Sequence, residues 1–226
     1  MAAKKIRKNK STLREYAEAI GMALLMALGI QIFIVQAFKI PSGSMIPTLL
    51  IGDHLLVNKL AYGTRFPEKI SLFLFDLPIP SRWIPISGRY LMEWGAPKHG
   101  DVVVFVYPED RSKDFIKRVI GVGGDLVEIR DKKVYINQSL IDDPHAHFEE
   151  GRAPYGNVQI RDNHGPVRVP EGHIFVMGDN RDRSLDSRFW GFVKLEDVKG
   201  RAFLIYWSWD GSDRWIRWER IGDRIY

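Results

Sequence analysis

The chain has 226 residues, with 33 Lys and Arg, 28 Asp and Glu, and no cysteine. The lack of cysteine excludes disulfides, thiolate catalysis and cysteine-ligated zinc or iron–sulfur sites. Residues 1–14 hold six basic and no acidic residues, which leaves 27 basic and 28 acidic residues in the remaining 212. The folded part is therefore close to neutral, which argues against a broad nucleic-acid-binding surface.

The first predicted element is a membrane anchor. Residues 19–38 are 20 consecutive residues without a charge, enough for a helix of about 30 Å, the thickness of the hydrocarbon core. With the basic segment 1–14, this predicts a cytoplasmic N-terminus, a transmembrane anchor over 15–38 and an extracytoplasmic domain over 39–226. A cleavable signal peptide and a buried core helix are the alternatives. The apolar stretch exceeds the usual signal-peptide core of about 7–15 residues, and no small-residue cleavage site follows it.

The remainder of the chain predicts a mainly β fold, a partly closed antiparallel sheet. Leu126–Arg130 and residues 133–137 alternate around Asp131-Lys132, which predicts a hairpin. An apolar, Pro-rich stretch at 66–98 and a polar stretch at 138–170 are interpreted as insertions. Short β-branched and aromatic runs separated by Gly and Pro predict four further strands, at residues 101–107, 115–120, 173–177 and 202–209.

Tryptophan is concentrated at the C-terminal end of the chain. Four of the seven tryptophans lie in the last 20 residues, interleaved with arginines. Trp and Arg together suit a surface lying against lipid headgroups. Packing in the core of a small β domain is the alternative, and the two can hold for different rings. The residues concerned are Trp207, Trp209, Trp215 and Trp218, with Arg214, Arg217 and Arg220.

A candidate nucleophile follows the anchor directly. Ser44 is preceded by Gly43 and bracketed by Pro41 and Pro47, so it lies on a rigid turn that could present a hydroxyl. Turn serines usually bond their own backbone, so this feature alone is not specific. Ser44 lies six residues past the predicted end of the span, which limits its distance from the bilayer to about 20 Å.

Histidine is one possible base for this serine. Because such sites are recognised by geometry and not by chain order, no histidine is excluded by its position. His145 and His147 lie in an acidic loop, where a solvated surface is the simpler interpretation and a metal cluster with nearby acids is the alternative. The six histidines are His54, His99, His145, His147, His164 and His173.

Lys117 is the other possible base. Strand alternation predicts that Phe115, Lys117 and Val119 share one face. Burial among apolar neighbours disfavours the ammonium and would lower the lysine pKa towards about 7–8, which suits a general base. The alternative is a Lys117 on the solvent face, with Arg118 turned inward or paired.

A charged cluster follows the strand at 173–177. Residues 178–188 contain three acids and three arginines. Paired charges of this kind can hold a loop rigidly, whereas an exposed salt-bridged turn contributes little.

Together these segments resemble the bacterial type I signal peptidases, the membrane-bound serine–lysine leader peptidases. The matching stretches appear in family order and are residues 41–49, 100–105, 115–121, 123–125 and 178–191. The resemblance implies a Ser44 nucleophile and a Lys117 general base, with an oxyanion hole formed by the Ser42 hydroxyl and the Ser44 N–H. It implies that Ser184 positions the Lys117 amine and that Asp186, paired with Arg188, stiffens the supporting loop. The substrate-pocket residues it implies are Phe38, Ile40, Met45, Leu49 and Ile116.

The same resemblance predicts the activity. It implies a membrane-anchored serine endopeptidase that cleaves signal peptides of exported preproteins after small-x-small sites through an acyl-enzyme. Signal peptides and the phospholipid bilayer are the expected partners, with no nucleic acid, no metal and no cofactor, and the enzyme is expected in the cytoplasmic membrane. Some relatives have tyrosine at Phe115 and some have two spans, so the topology of those relatives does not transfer.

Three other classes compete with this interpretation. One is another serine–lysine peptidase, such as a self-cleaving repressor, against which the anchor and the near-neutral domain argue. The second is a non-catalytic, membrane-tethered β domain that binds extracytoplasmic peptides. Such a binding domain has no need of Ser44, Lys117 and their supporting residues together. A histidine- or metal-dependent hydrolase is a third possibility.

Overall fold

The computed structural model describes residues 12–65, 69–72, 75–78, 90–149 and 158–226. Most of the basic segment 1–14 and parts of both predicted insertions lie outside these residues. The helices are α1 (Thr12–Phe33), α2 (Val158–Asp162) and α3 (Ser187–Trp190). The strands are β1 (Val35–Lys39), β2 (Asp53–Asn58), β3 (Gly63–Arg65), β4 (Lys69–Leu72), β5 (Phe75–Pro78), β6 (Tyr90–Glu93), β7 (Val102–Val106), β8 (Asp114–Val122), β9 (Leu126–Arg130), β10 (Lys133–Ile136), β11 (Ser139–Leu140), β12 (His164–Arg168), β13 (His173–Met177), β14 (Val193–Lys194), β15 (Val198–Asp210) and β16 (Trp215–Ile216).

The N-terminal helix α1 is a candidate membrane span. It has 22 residues, none of them buried, and its length of about 33 Å matches the hydrocarbon core. The predicted end of the anchor at Phe38 is wrong, because the helix ends at Phe33 and Val35–Lys39 forms β1. Residues 35–39 pair with β2 along their whole length, so their backbone groups are satisfied by a strand ladder instead of a helix.

The main sheet is antiparallel throughout and open. Its strand order is β1-β2-β15-β7-β8-β13-β14, and β16 extends the sheet by pairing with β15. The mainly β, antiparallel fold predicted from the sequence is thereby confirmed. The strands predicted at 101–107, 115–120, 173–177 and 202–209 correspond to β7, β8, β13 and β15.

Apolar residues are buried on both faces of this sheet. Strand β7 is buried at all five positions, as its continuous β-branched run predicts. Val102 and Val104 join one core cluster with Met45 and Leu49, while Val103 and Phe105 join a second cluster on the opposite face. The site described below lies where the chain enters the first of these clusters.

A second, four-stranded sheet has the order β11-β10-β9-β12. The predicted hairpin is present as β9 and β10, and the turn residues Asp131 and Lys132 both have positive φ, at 48° and 67°. Positive φ at both turn positions is typical of the type I′ turn, whose twist matches that of paired strands. Strands β11 and β12 come from the polar stretch 138–170, so part of that predicted insertion belongs to this sheet.

Candidate active site

The turn that carries Ser44 is fixed at both ends. Before it, Ile40 N donates to Asp53 O at 2.8 Å and Gly52 N donates to Ile40 O at 3.0 Å, which extends the pairing of β1 and β2. After it, Met45 and Leu49 are fully buried in the core. Because the side chains on its C-terminal side are packed inward, the half-buried Ser44 is held at the surface of the sheet.

Lys117 reaches this serine from the middle of β8. Its Nζ lies 2.7 Å from Ser44 Oγ and 3.0 Å from the carbonyl oxygen of Ile116, and the residue is only 4% exposed. Nζ also lies 5.4 Å from the centre of the Phe115 ring, and Phe115 and Val119 both belong to the second core cluster. The lysine is therefore buried, and the solvent-facing alternative is wrong.

Burial lowers the pKa of Lys117 to about 8. The carboxylates of Asp186 and Asp179 oppose this effect and the Arg188 guanidinium reinforces it, but desolvation of the ammonium is the largest influence. Near neutral pH a useful fraction of the amine is consequently unprotonated and can accept a proton.

Arg118, the next residue, is buried on the other side of the strand. Its Nε and Nη2 donate to the two carboxylate oxygens of Asp179, each at 2.7 Å, and Nη1 donates to the carbonyl oxygens of Gly100 and Tyr226. The Thr48 hydroxyl donates to the same aspartate at 2.5 Å. This ion pair ties β8 to the loop after β13 and to the segment that follows Ser44.

The loop at residues 178–186 packs directly against the Ser44 turn. Asn180 N donates to Ser44 O at 3.1 Å, and the Asn180 side-chain amide donates to Gly43 O at 3.3 Å. A Cβ at residue 178 would overlap the Ser44 carbonyl oxygen and the Ser184 hydroxyl, so only glycine fits there. The loop thus fixes the nucleophile turn through its backbone.

The ion pair of Asp186 and Arg188 stabilises this loop from its buried side. Arg188 Nε and Nη2 donate to the Asp186 carboxylate, each at 2.8 Å, and Gly178 N donates to the same group at 3.0 Å. Burial is the largest single influence on the pKa of Asp186 and would raise it, but the Arg188 guanidinium, the Ser184 hydroxyl and the Gly178 N–H together hold that pKa below its usual range. Both side chains are buried, so the charged cluster is not an exposed turn.

Ser184 and Ser42 lie close to the pair but make fewer contacts. The Ser184 hydroxyl is buried and makes no hydrogen bond of good geometry within the described part of the chain, but it lies close enough to Asp186 to help lower the pKa of that carboxyl. The hydrogen bonds of Lys117 Nζ go to Ser44 and Ile116. Ser42 is exposed and borders the cleft that contains Ser44. The roles predicted for these two serines stay predictions.

An open cleft of about 480 Å³ surrounds the Ser44–Lys117 pair. Of the five predicted pocket residues, Ile116 lines this cleft, whereas Phe38, Ile40, Met45 and Leu49 pack in or against the first core cluster beneath it. The lining residues are Pro41, Ser42, Gly43, Ser44, Ile46, Ile51, Asp114, Phe115, Ile116, Lys117, Glu149, Asn180, Arg183 and Leu185.

Asn180 and Glu149 are site residues that the sequence analysis missed. The Asn180 side-chain amide donates to Glu149 at 2.6 Å, and Arg183 pairs with the same carboxylate at 2.5 Å. Glu149 belongs to the acidic stretch of the predicted insertion 138–170. The sequence signals this contact only through charge, since that stretch is acidic and the loop carries Arg181 and Arg183. The same complementarity pairs Arg181 with Asp143.

The histidines do not reach the nucleophile. All six lie in the described residues, and none of them hydrogen-bonds to Ser44 there. His147 contacts the site loop through its backbone, because its N donates to Asp179 O at 2.7 Å and its O accepts from Arg181 N at 2.8 Å. Within the described residues, no group of three or more His, Asp or Glu is arranged to hold a metal ion.

A serine hydroxyl in contact with a buried amine, on the floor of an open cleft, is the arrangement that a serine hydrolase requires. The family model described as "Signal peptidase, peptidase S26" matches residues 13–207. The chain therefore belongs to this family, and it is a serine peptidase.

Several relatives are named signal peptidase I. A signal peptidase I of Pseudomonas aeruginosa is 35% identical over 87% of this chain and 73% of its own length. A signal peptidase I of Aquifex aeolicus is 32% identical over 87% of this chain and 85% of its own length. A crystal structure of a signal peptidase I from Enterococcus faecalis V583 is 32% identical, with a TM-score of 0.37 over 46% of this chain and 95% of that one.

Proposed function

We propose that this chain is a single-span serine endopeptidase that removes signal peptides from exported preproteins. The observation that carries the proposal is the 2.7 Å contact between Ser44 Oγ and the Nζ of a lysine that is 4% exposed. Relatives named signal peptidase I support the choice of substrate.

Acylation begins with proton transfer from Ser44 to Lys117. As the neutral amine takes the hydroxyl proton, Oγ attacks the scissile carbonyl carbon and a tetrahedral oxyanion forms. The carbon–nitrogen bond then breaks, and the Lys117 ammonium gives its proton to the leaving nitrogen. The mature protein departs with a free N-terminus, and the signal peptide stays on Ser44 as an ester.

Deacylation uses the same base. Lys117 removes a proton from a water molecule, and the oxygen of that water attacks the ester carbon. When the bond from carbon to Ser44 Oγ breaks, the ammonium returns its proton to Oγ. The products are the regenerated enzyme and the signal peptide with a carboxylic acid at its C-terminus, which then releases its proton to solvent.

The oxyanion is assigned to the Ser44 N–H and the Ser42 hydroxyl. Both residues border the cleft, and oxyanion donors of this kind are typically worth about 10²–10³-fold in rate. Ser184 is assigned to the Lys117 amine, because its buried hydroxyl lies next to the Ser44 carbonyl oxygen across Gly178 and a hydroxyl can both donate and accept a hydrogen bond.

Substrate selection is assigned to a shallow cleft that favours small side chains. Ile116 forms part of its wall. Met45 and Leu49 are fully buried beneath it, so their bulk limits the depth of the cleft from below. A shallow floor supports cleavage after small-x-small sites, because larger side chains would have to displace well-packed core residues.

The topology follows from the basic N-terminal segment and α1. The positive-inside rule supports a cytoplasmic N-terminus and a catalytic domain on the outer face of the cytoplasmic membrane. The sequence-based limit of about 20 Å between Ser44 and the bilayer needs correction, since the helix ends at Phe33. Ser44 lies eleven residues past Phe33, which allows at most about 36–40 Å.

An exposed aromatic cluster lies beside the cleft and supports contact with lipid headgroups. Trp215 and Trp218 are 67% and 60% exposed, and Trp207 packs edge-on against Trp218. Arg217 and Arg220 pair with Asp210 and Asp53, so the rings and not these arginines would meet the bilayer.

In vesicles containing brominated phospholipid, Trp215→Ser/Trp218→Ser should lose most of the quenchable tryptophan fluorescence. Trp190→Phe, which changes a ring packed against the core, should keep that fluorescence quenchable. Equal quenching of wild type, the double variant and Trp190→Phe would refute the contact of Trp215 and Trp218 with lipid.

The proposed function is tested by cleavage of a purified preprotein in detergent. Wild type should release a product trimmed after a small-x-small site, and Ser44→Ala and Lys117→Met should be inactive although folded. Ser139→Ala and Lys133→Met are matched controls, because both residues are exposed in the β10–β11 region, and both should retain full activity.

The other outcomes separate the competing classes. Full activity of Lys117→Met would refute the lysine base and direct attention to His54, His145 and His147. Loss of activity on chelation would favour a metal-dependent hydrolase. An inactive wild type that still binds the preprotein would favour the peptide-binding domain.

A further inference from the structure

The C-terminal end of the anchor helix α1 is held by a residue from the catalytic sheet. Lys59, which follows β2, donates from Nζ to the carbonyl oxygen of Ile32 at 2.5 Å. Its backbone N–H donates to Ile34 O at 2.8 Å. The last turn of α1 contains no basic residue of its own. Helix ends leave carbonyls unsatisfied and carry partial negative charge, so an ammonium placed there is stabilising.

No free linker separates this helix end from the nucleophile. Strand β1 begins two residues after Phe33 and pairs with β2 from Val35 opposite Asn58 to Lys39 opposite His54. The Ile40 bonds to Asp53 and Gly52 continue the ladder to the Ser44 turn. The helix is therefore attached to the main sheet covalently through Ile34 and non-covalently through Lys59, and it also lies close to β4 of a separate two-stranded sheet.

The attachments at Ile34 and Lys59 constrain the direction of the helix relative to the main sheet. With the covalent connection alone, the backbone at Ile34 could rotate and the sheet could tilt over the bilayer. The Lys59 contact adds the second point, and it is charge-assisted and half-buried, which makes it stronger than a neutral hydrogen bond in water. The height of Ser44 above the end of the span is then a property of the fold.

We propose that Lys59 is a positioning residue that sets the depth at which this peptidase cuts membrane-held substrates. The inference rests on the proposed function, since a signal peptide has its apolar segment in the same bilayer and its scissile bond a few residues beyond it. A fixed serine height selects substrates by the spacing between these two features. Holding enzyme and substrate in one plane also raises their effective concentration.

The test uses the full-length protein and two kinds of substrate. The first is a short soluble peptide that contains the cleavage site, assayed in detergent. The second is a set of preproteins reconstituted with the enzyme in vesicles, in which the spacer between apolar segment and cleavage site is varied one residue at a time. The variants are Lys59→Met, which keeps the aliphatic stem, Lys59→Arg, which keeps the charge, and Lys194→Met, an exposed control in β14.

We expect all variants to cleave the soluble peptide within about twofold of wild type. In vesicles, wild type should show a sharp optimum of spacer length. Lys59→Met should lose about tenfold at that optimum and show a broader profile, because the population with the helix correctly oriented falls when a charge-assisted hydrogen bond is removed. Lys59→Arg should recover most of the optimum.

Two results would overturn the assignment of Lys59. One is a Lys59→Met profile in vesicles identical to that of wild type. The other is an equal loss on the soluble peptide and in vesicles, which would make Lys59 a residue of general stability. Failure of wild type on the soluble peptide is a separate result, because it would overturn the proposed function itself.

Discussion

Strand β8 carries two adjacent buried cations that have opposite uses. Arg118 is bound by both oxygens of Asp179 at 2.7 Å. Lys117, on the other face, meets a hydroxyl, a carbonyl oxygen and an aromatic ring. Both side chains lie almost entirely out of water. What separates them is the counter-ion: among the described residues, Arg118 has a carboxylate in direct contact and Lys117 has none.

The chemistry of the two side chains matches these surroundings. A guanidinium stays charged in proteins and forms a planar, bidentate pair with a carboxylate, so it suits a permanent structural ion pair. An ammonium loses its proton more readily when desolvated, and burial brings the pKa of Lys117 to about 8. One strand therefore supplies a structural tie on one face and a proton acceptor on the other.

The largest expected effect comes from replacing Lys117 with arginine, the residue type at position 118. Lys117→Arg keeps a buried cation near Ser44 but removes the ability to lose a proton. We expect kcat/KM on a preprotein to fall by about 10²–10⁴-fold, the usual contribution of a general base. Arg118→Lys is the complementary variant and should retain measurable activity. A Lys117→Arg enzyme within tenfold of wild type would show that the proton goes elsewhere.

The second effect is the loss of stability on breaking the Arg118–Asp179 ion pair. Asp179→Ala leaves the Arg118 charge buried without its partner, which should lower the free energy of unfolding by about 3–5 kcal/mol. Denaturant unfolding measures this change. The double variant Asp179→Ala/Arg118→Met removes both charges and should recover a large part of the loss. A double variant as unstable as the single one would mean that lost packing, and not an unpaired charge, causes the damage.

The third effect is a gain in stability, opposite in sign to the loss expected for Asp179→Ala. The pKa of Lys117 is about 8 in the folded state against an ordinary value of 10.5, so the unfolded chain binds this proton more tightly. Below pH 8 the lysine is charged in both states and folding bears the desolvation cost, which corresponds to about 3 kcal/mol. Between pH 8 and 10.5 the folded state releases the proton first, so the wild type gains stability as pH rises.

Lys117→Met removes that cost and the pH dependence with it. We expect the variant to be more stable than wild type below pH 8, by up to about 3 kcal/mol less the value of the two lost hydrogen bonds. The advantage should shrink steadily towards pH 10.5. Unfolding curves at pH 6, 8 and 10 measure it. A variant less stable than wild type at pH 6 would contradict the view that this charge is buried at a cost.

The same pair of residues shows how far sequence alone leads. The pattern of β8 predicts that Lys117 shares a face with Phe115 and Val119, and the order of motifs predicts its contact with Ser44. Neither identifies Asp179 as the partner of Arg118, because 61 residues separate them and any acid of the 178–188 cluster would satisfy the same pattern.

The remaining differences have similar physical causes. The sequence predicts that the anchor ends at Phe38, because Ile, Val and Phe suit an apolar helix and a strand equally. The role of Met45 and Leu49 in the substrate pocket stays a prediction: both are buried in the first core cluster, and apolar type alone does not tell which side of a turn faces the core. Glu149 was missed since its contact with Asn180 depends on how the 138–149 segment folds back.

The smallest expected effect is the pH dependence of the reaction, which reports directly on the protonation of Lys117. Because the neutral amine is the active form, kcat/KM should fall about tenfold per pH unit below about pH 8 and level off above it. Soluble peptide in detergent is the substrate of choice, since it keeps membrane effects out of the profile. Lys133→Met, an exposed lysine of β10, should leave the curve unchanged. A rate that stays constant from pH 6 to 9 would mean that no group with this pKa acts as the base, and Lys117 would then resemble Arg118 in function as well as in burial.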